Sequence, residues 1–112
     1  MDDPSACLTL VLTTEASSQQ AETLARQLLE QRLVACVSLW PVRSLYRWQG
    51  QLEQSQEVQM LLKLPSRDVP ALMERLPQLH SYDTPEWITL PAATAGPYAA
   101  WIFSPDGAPP VP

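Results

Sequence analysis

One stretch, residues 33–64, constrains the fold of this chain most, because it predicts two long strands folded back on each other. The first arm, residues 33–40, is rich in strand-favouring side chains and continues past Pro41 into a second extended run. Polar residues mark the reversal at positions 49–51, and the return arm then alternates apolar and polar side chains up to Leu64. The sequence therefore predicts a hairpin whose arms exceed the usual strand of about five or six residues.

The far end of this hairpin should extend beyond the body of a small domain. Trp40, Tyr46 and Trp48 fall on one face of the outgoing arm, because successive strand residues point to opposite sides of a sheet. A stripe of aromatic side chains on an overhanging hairpin is typical of a contact surface. We therefore expect the hairpin to pack against another subunit.

The composition indicates a single acidic domain that covers part of its surface. The chain has 112 residues, which we assign to one domain at 6–103, a flexible segment at 1–5 and a disordered proline-rich tail at 104–112. Hydrophobic residues make up 46% and charged residues only 17%, which favours an oligomer. The net charge of −5 argues against binding to nucleic acid, because phosphates require a basic surface.

The sequence also predicts the compartment. No apolar run reaches the roughly 20 residues that span a bilayer, and no apolar stretch follows a basic start. We therefore expect a cytoplasmic protein with no membrane partner. Cys7 and Cys36 each lie in a strand-like apolar run, so we expect two buried thiols rather than a disulfide.

The segments around the hairpin alternate between strand and helix. Residues 7–14 predict a first strand, and Ser17 with Gln20 predicts the start of a helix that ends near Gln31. A second helix should follow Pro65, tolerate Pro70 in its first turn and break or kink at Pro77. Its predicted buried side chains are Val69, Leu72, Met73, Leu76 and Leu79.

Two short elements complete the order. Residues 87–90 predict a strand that Pro91 stops, and the spacing of Tyr98, Trp101 and Ile102 predicts a last short helix. The order of elements is that of an α+β protein, the ferredoxin-like βαββαβ plait with a long central hairpin and a C-terminal helix. This fold supports so many activities that it does not decide the function.

Four segments in sequence resemble the CutA family, the divalent-cation tolerance proteins. They are LVACV at 33–37, SLYRWQG at 44–50, EVQMLLK at 57–63 and HSYDTPE at 80–86. The resemblance implies a tight homotrimer with an architecture similar to the trimeric PII signalling proteins. It also implies a role in metal-ion tolerance, with copper as the expected ion, and no catalysed reaction.

The same resemblance implies a metal site that this chain retains only in part. Thr13 stands where proposed copper ligands of the family include a cysteine, and Leu79 stands at a histidine position. His80 and Glu86 remain as the candidate metal ligands. We therefore expect copper or another divalent cation to bind weakly. The alternatives are that His80 bonds to backbone and that Glu86 accepts hydrogen bonds from loop amides.

A second candidate site is a cleft between subunits. We expect it to be lined by Tyr46, Trp48, Glu57, Lys63, Tyr82 and Glu86. Such a cleft would bind a small metabolite in a PII-like signalling module, or would serve only as interface in an oligomerisation scaffold. Cys36, a soft donor for reduced copper, is the remaining candidate ligand, with a packed core thiol as its alternative.

Overall fold

The structure, a computed structural model, describes residues 7–104. The predicted flexible residues 1–5 and the predicted disordered tail beyond Ser104 lie outside the described residues. The strands are β1 (Leu8–Glu15), β2 (Cys36–Trp48), β3 (Gln51–Pro65) and β4 (Ile88–Ala92). The helices are α1 (Ser18–Glu30), α2 (Val69–Leu79) and α3 (Gly96–Ile102), with a single 3-10 turn at Ser66–Asp68 before α2. None of the helices within residues 7–104 is long and apolar enough to cross a membrane.

The four strands form one antiparallel sheet in the order β2-β3-β1-β4. This order, with α1 and α2 as the crossovers, confirms the predicted α+β ferredoxin-like fold. The first strand and the last strand of the chain are neighbours in the sheet, because β1 pairs with β3 on one side and with β4 on the other.

The long hairpin is present and is more continuous than the sequence suggested. β2 has 13 residues and β3 has 15, and they pair from Cys36 opposite Lys63 to Trp48 opposite Gln51. The two residues of the turn, Gln49 and Gly50, both have positive φ, at 52° and 78°. Two-residue turns with this backbone match the right-handed twist of paired strands.

Prolines lie inside both edge strands. Pro41 is within β2, and Pro91 is within β4, so the prediction that Pro91 stops the last strand is wrong. The physical reason is their position, since β2 and β4 are the outermost strands of the sheet. A proline on an edge strand can direct its missing N–H away from the neighbouring strand without losing a ladder hydrogen bond.

The core lies between the helices and one face of the sheet. Met60, Leu62 and Leu64 of β3 are fully buried there, together with Leu24 and Leu28 of α1 and Leu72 and Leu76 of α2. Helix α1 begins as predicted, because the Ser17 side chain accepts a hydrogen bond from Gln20 N at 3.2 Å. In α2, Pro77 lies inside the helix, which ends two residues later at Leu79.

Two predictions of burial are wrong. Met73 is 57% exposed, because the buried stripe of α2 is narrow and Leu72 and Leu76 alone reach the fully buried core. Cys7 is exposed, because β1 begins one residue later, at Leu8. Cys36, the first residue of edge strand β2, is half-buried. The structure, which describes both cysteines, has no disulfide between them.

The opposite side of the sheet, which we call the outer face, carries apolar side chains that stay exposed. The register places Leu10 beside Leu90 and Leu12 beside Ile88, on the face opposite to Val11 and the core. Ile88 and Leu90 are each 45% exposed. The outer face continues along the hairpin through Trp40, Val42, Tyr46 and Trp48, which share the parity of Leu61 and Gln59 across β3.

Candidate functional site

His80 is buried and engaged at both ring nitrogens. It follows the last residue of α2, and its side chain is fully covered. Nδ1 accepts a hydrogen bond from Tyr82 N at 3.0 Å, so the ring proton lies on Nε2, which is 3.2 Å from the Thr13 hydroxyl. The first of these bonds matches the alternative in which His80 bonds to backbone. In this conformation neither nitrogen is open to a metal ion.

Glu15, which is not among the residues predicted from the sequence, holds the loop that follows His80. Its carboxylate is buried at the end of β1. Oε2 accepts a hydrogen bond from Ser81 N at 3.0 Å and lies 3.5 Å from His80 Nδ1, while Oε1 accepts from Ala16 N and from the Ser81 hydroxyl. The available signal was an acidic residue directly after a nearly continuous apolar strand.

Tyr82 continues this loop onto the outer face. Its hydroxyl donates a hydrogen bond to Glu57 Oε2 at 2.7 Å, and its ring lies against His80 with centroids 5.1 Å apart. Burial, and then the hydrogen bond to the Glu57 carboxylate, raise the pKa of Tyr82 well above that of an ordinary phenol. Tyr82 is therefore a neutral donor that holds the Glu57 carboxylate in place.

Gln59 connects Glu86 to β1. Its side-chain Nε2 donates to Thr13 O and to Glu86 Oε2, each at 2.8 Å. Glu86 therefore accepts from a side-chain amide of β3, where the sequence alternative expected a loop amide. His80 and Glu86 are linked through Thr13 and Gln59, and the described residues contain no group of three His, Cys, Asp or Glu side chains placed to hold a metal ion. Metal binding by His80 and Glu86 stays a prediction.

The hairpin and the loop after α2 form the two walls of an open cleft on the outer face. Its volume is about 760 Å³. Tyr46, Trp48, Glu57, Tyr82 and Glu86, five of the six residues predicted from the sequence, line it. The other lining residues are Thr14, Ser55, Ser81, Asp83 and Thr84. The structure therefore brings together side chains of β2 and β3 with a loop more than twenty residues away in sequence.

Lys63 does not line this cleft. It lies opposite Cys36, at the end of the hairpin away from the turn, and beside Leu10 of β1. Six residues of extended strand separate it from Glu57, which is about 20 Å. Lys63 and Glu57 do point to the same face of β3, as their spacing predicted, but they lie too far apart along the strand to line the same cleft in one chain.

The cleft is acidic. Glu57, Asp83 and Glu86 are its ionisable carboxylates, and its lining contains no Lys, Arg or His among residues 7–104. Tyr46, Trp48 and Tyr82 supply aromatic surface, and the Tyr46 hydroxyl is fixed by a hydrogen bond of 2.8 Å with Ser55 Oγ. A cleft of this charge attracts cations and repels phosphorylated or carboxylated metabolites.

Comparison with known proteins decides the family. The family model described as CutA1 divalent ion tolerance protein matches residues 9–104, which is nearly the whole described chain. The chain belongs to the CutA family. Among curated CutA proteins, that of Pectobacterium atrosepticum is 45% identical over 103 residues, covering 90% of this chain and 94% of the relative. The CutA protein of Thermus thermophilus is 41% identical over 95 residues, covering 83% and 92%.

Solved CutA structures share the fold. The CutA structure from Synechococcus elongatus has a TM-score of 0.86 and 37% sequence identity, covering 89% of this chain and 90% of that one. The structure of the periplasmic divalent cation tolerance protein CutA from Archaeoglobus fulgidus has a TM-score of 0.81 and 30% identity, covering 85% and 94%. The curated CutA relatives are named for tolerance of divalent cations and not for a catalysed reaction.

Proposed function

We propose that this CutA-family chain acts in the cellular response to divalent metal ions as a cytoplasmic homotrimer, with a weak copper(II) site at His80 and Glu86 and a separate ligand site in the acidic cleft. The observation that carries the proposal is that Glu57, Asp83 and Glu86 all line one cleft beside the aromatic hairpin, with no cationic side chain in the lining that the structure describes. The family name of the relatives supports the link to divalent cations. No chemical step is part of the proposed function.

Copper(II) binding is proposed to be weak in this member. Thr13 offers a hydroxyl, and that hydroxyl is already 3.2 Å from His80 Nε2. A copper ion at His80 must therefore displace either this contact or the bond from Tyr82 N. The ion also finds a hydroxyl at position 13 and not the thiolate of a cysteine, which is the softer ligand. Outer partners alone change metal affinity by about 10- to 100-fold, so we expect copper(II) to bind in the micromolar range or more weakly.

Calorimetry with copper(II) tests this proposal. His80→Ala should abolish the heat of binding if His80 is released to the ion. Cys36→Ser should leave it unchanged, because Cys36 lies on the outer face of edge strand β2, whereas Thr13, the contact of His80, faces the core from β1. The apparent affinity should fall in acid, because protons compete with the ion for the ligand nitrogen and oxygen atoms. Nanomolar binding, or binding indifferent to His80→Ala, would place the metal elsewhere on the chain.

A second candidate is a PII-like signalling role in which a small metabolite binds the cleft. Its volume of about 760 Å³ favours this candidate, because pockets for small molecules measure about 300–1,000 Å³. The carboxylates exclude nucleotides and other anions as the preferred ligands. A third possibility, an oligomerisation scaffold without ligand, predicts no thermal shift with any metal or metabolite.

The cytoplasmic location is proposed from the sequence and from the two cysteines, which form no disulfide with each other. Fractionation of cells that produce the chain with a C-terminal epitope tests it. Recovery of the tagged chain with a cytoplasmic marker enzyme is the expected result, and recovery with a periplasmic marker, as the name of the Archaeoglobus fulgidus structure would suggest for that protein, contradicts it.

A further inference from the structure

We propose that the C-terminal segment, residues 105–112, binds back into a pocket beside α3, with Asp106 paired to Arg32 and Arg67. This pocket, which we call the α3 pocket, lies at the end of the sheet away from the hairpin turn, between the ends of α1 and β3 and the helix α3. The inference goes beyond the proposed function, because it involves neither the candidate metal ligands nor the acidic cleft.

The α3 pocket is small, partly apolar and net positive. Its volume of about 240 Å³ is below the roughly 300–1,000 Å³ of small-molecule sites, so a short piece of chain fits it better than a metabolite. Leu29 and Trp101 supply apolar surface. The charged lining among the described residues is Arg32, Arg67 and Asp68, two cations against one anion. The complementary group is therefore a carboxylate.

The C-terminal segment starts at this pocket. Ser104, the last described residue, is part of the lining, so Pro105 begins beside it. The Arg67 guanidinium donates a hydrogen bond to Phe103 O at 3.2 Å. Asp106 is the third residue after Phe103, and three residues of extended chain span at most about 10 Å. The carboxylate of Asp106 is therefore within reach of the same guanidinium.

Charge identifies Asp106 as the group that binds. It is the only ionisable side chain in residues 105–112. A guanidinium is always charged and has five N–H donors, so it can hold a carboxylate and a carbonyl oxygen at the same time. Arg32 follows α1 and Arg67 lies in the 3-10 turn before α2, and the fold places both in the lining of the one pocket.

The prolines of the segment favour binding to this surface. Four of the residues in 105–112 are prolines, which fix φ, so the segment has less conformational entropy to lose than an ordinary chain. Extended proline-rich segments also bind to grooves lined by aromatic side chains. Leu29 is 41% exposed and lines the pocket with Trp101, so a proline ring placed there removes apolar surface from water. Composition alone predicts disorder for this segment, because composition does not register a basic pocket beside its start.

The proposed trimer does not fill the α3 pocket. Among the described residues, the exposed outer-face side chains Trp40, Trp48, Ile88 and Leu90 are not part of its lining. The CutA1 family model matches residues 9–104, so residues 105–112 lie outside the part of the chain that matches the family. The contact is therefore proposed for this chain and not for CutA proteins in general.

Hydrogen exchange at the end of α3 tests the docking. The amides of Phe103 and Ser104 donate to carbonyls of α3 at 3.1 and 3.0 Å, so they exchange when the last turn of the helix opens. Asp106→Asn in the full-length protein should speed their exchange by about threefold, which is the size of effect that an exposed ion pair supports. Glu74→Gln, which removes a negative charge from the exposed side of α2, should leave it unchanged.

A reversed pair and a shortened chain identify the two partners. Asp106→Arg should speed the exchange, and adding Arg32→Glu should recover part of the protection, because the pair forms again with its charges reversed. Arg32 is the partner to reverse, since Arg67 also holds Phe103 O. A chain that ends at Ser104 should exchange at least as fast as Asp106→Asn.

Three results would overturn the inference. They are equal exchange in the wild-type protein and Asp106→Asn, an equal effect of Glu74→Gln and Asp106→Asn, and protection that sulfate restores to the shortened chain, which would mark a general anion site. Light scattering and copper calorimetry on Asp106→Asn separate the inference from the proposed function. Faster exchange with unchanged trimer mass and copper(II) affinity supports the inference, whereas faster exchange that accompanies dissociation of the trimer overturns it.

Discussion

At the scale of single residues, the unusual feature of this chain is a buried carboxylate beside a buried imidazole. Glu15 and His80 lie 3.5 Å apart at the end of β1, and Glu15 also accepts hydrogen bonds from the backbone and side chain of Ser81. These contacts of Glu15 with His80 and Ser81 hold the start of the loop that forms one wall of the cleft. Glu15 is therefore a positioning residue for the loop, although it does not line the cleft itself.

Replacing Glu15 should destabilise the protein. Glu15→Gln replaces one carboxylate oxygen by an NH₂ group, which then faces either Ser81 N or Ala16 N, so at least one donor of this part-buried network loses its acceptor. The expected loss is about 2 kcal/mol in the free energy of unfolding, measured by urea denaturation. Glu30→Gln, a change at the exposed end of α1, is the matched control and should shift it by less than about 0.5 kcal/mol. A neutral effect of Glu15→Gln would show that the loop does not depend on this carboxylate.

The raised pKa of Tyr82 predicts a loss of stability in alkali. The unfolded chain gives up this phenolic proton near pH 10, whereas the folded protein retains it to higher pH, so the unfolded state binds fewer protons above that value. The contribution of Tyr82 is therefore fully present below about pH 10 and is lost as the pH rises further.

Unfolding midpoints between pH 8 and pH 11 measure this effect. Tyr82→Phe, which has no phenolic proton, should flatten the alkaline decline, while Tyr98→Phe on α3 should keep it. Parallel declines in the wild-type protein and in Tyr82→Phe would contradict the assignment.

At the scale of elements, the register of the hairpin is set by a two-residue turn in which only one residue, Gly50, suits the positive φ that both residues adopt. Gly50 adopts a φ of +78° without strain, but Gln49 adopts 52°, which costs energy for a residue with a Cβ atom. Asparagine tolerates this conformation better, and Asn-Gly is the preferred pair for such turns.

Two substitutions in the turn should act in opposite directions. Gln49→Asn should raise the free energy of unfolding by about 0.5 kcal/mol, and Gly50→Ala should lower it by about 1 kcal/mol through backbone strain alone, because an added Cβ meets no atom within 4 Å. Thermal unfolding monitored by circular dichroism would show both shifts. A stabilising Gly50→Ala would mean that the turn is not left-handed at that residue.

At the scale of the whole molecule, the exposed apolar residues of the outer face predict self-association. Ile88, Leu90, Trp40 and Trp48 are between 41% and 54% exposed, on the side of the sheet opposite to the core. Monomeric proteins rarely leave so large an apolar face uncovered. Three copies arranged in a closed ring would cover it, and the overhanging hairpin would reach a neighbouring subunit.

Light scattering should therefore give the mass of three chains, and the particle should survive dilution to nanomolar concentration. Trp48→Asp places a charge without a partner in the proposed interface, which costs several kcal/mol, so it should dissociate the trimer. Met73→Asp is the matched control, because Met73 has similar exposure, 57% against 54%, but lies on α2. Wild-type protein that is monomeric at micromolar concentration, or a trimer that withstands Trp48→Asp, would contradict this assembly.

The sequence by itself determined what depends on neighbours along the chain. The alternation from Val58 to Leu64, the cap at Ser17 and the turn at Gln49-Gly50 are local patterns, so the hairpin, α1 and the ferredoxin-like order followed from them. The segment HSYDTPE at 80–86 also identified the loop that forms one wall of the cleft, through its resemblance to the CutA family.

Only the tertiary structure decided what depends on residues far apart in sequence. Glu15 ends β1 and Ser81 follows α2, and the fold brings them within hydrogen-bond distance. No local pattern in the sequence signals that contact. Edge position decided that Pro41 and Pro91 could lie inside strands, and distance along β3 separates Lys63 from the cleft that a single chain forms. Side-chain parity and composition restrict which residues share a face, but only the packed fold brings a face, a loop and a buried charge to one point.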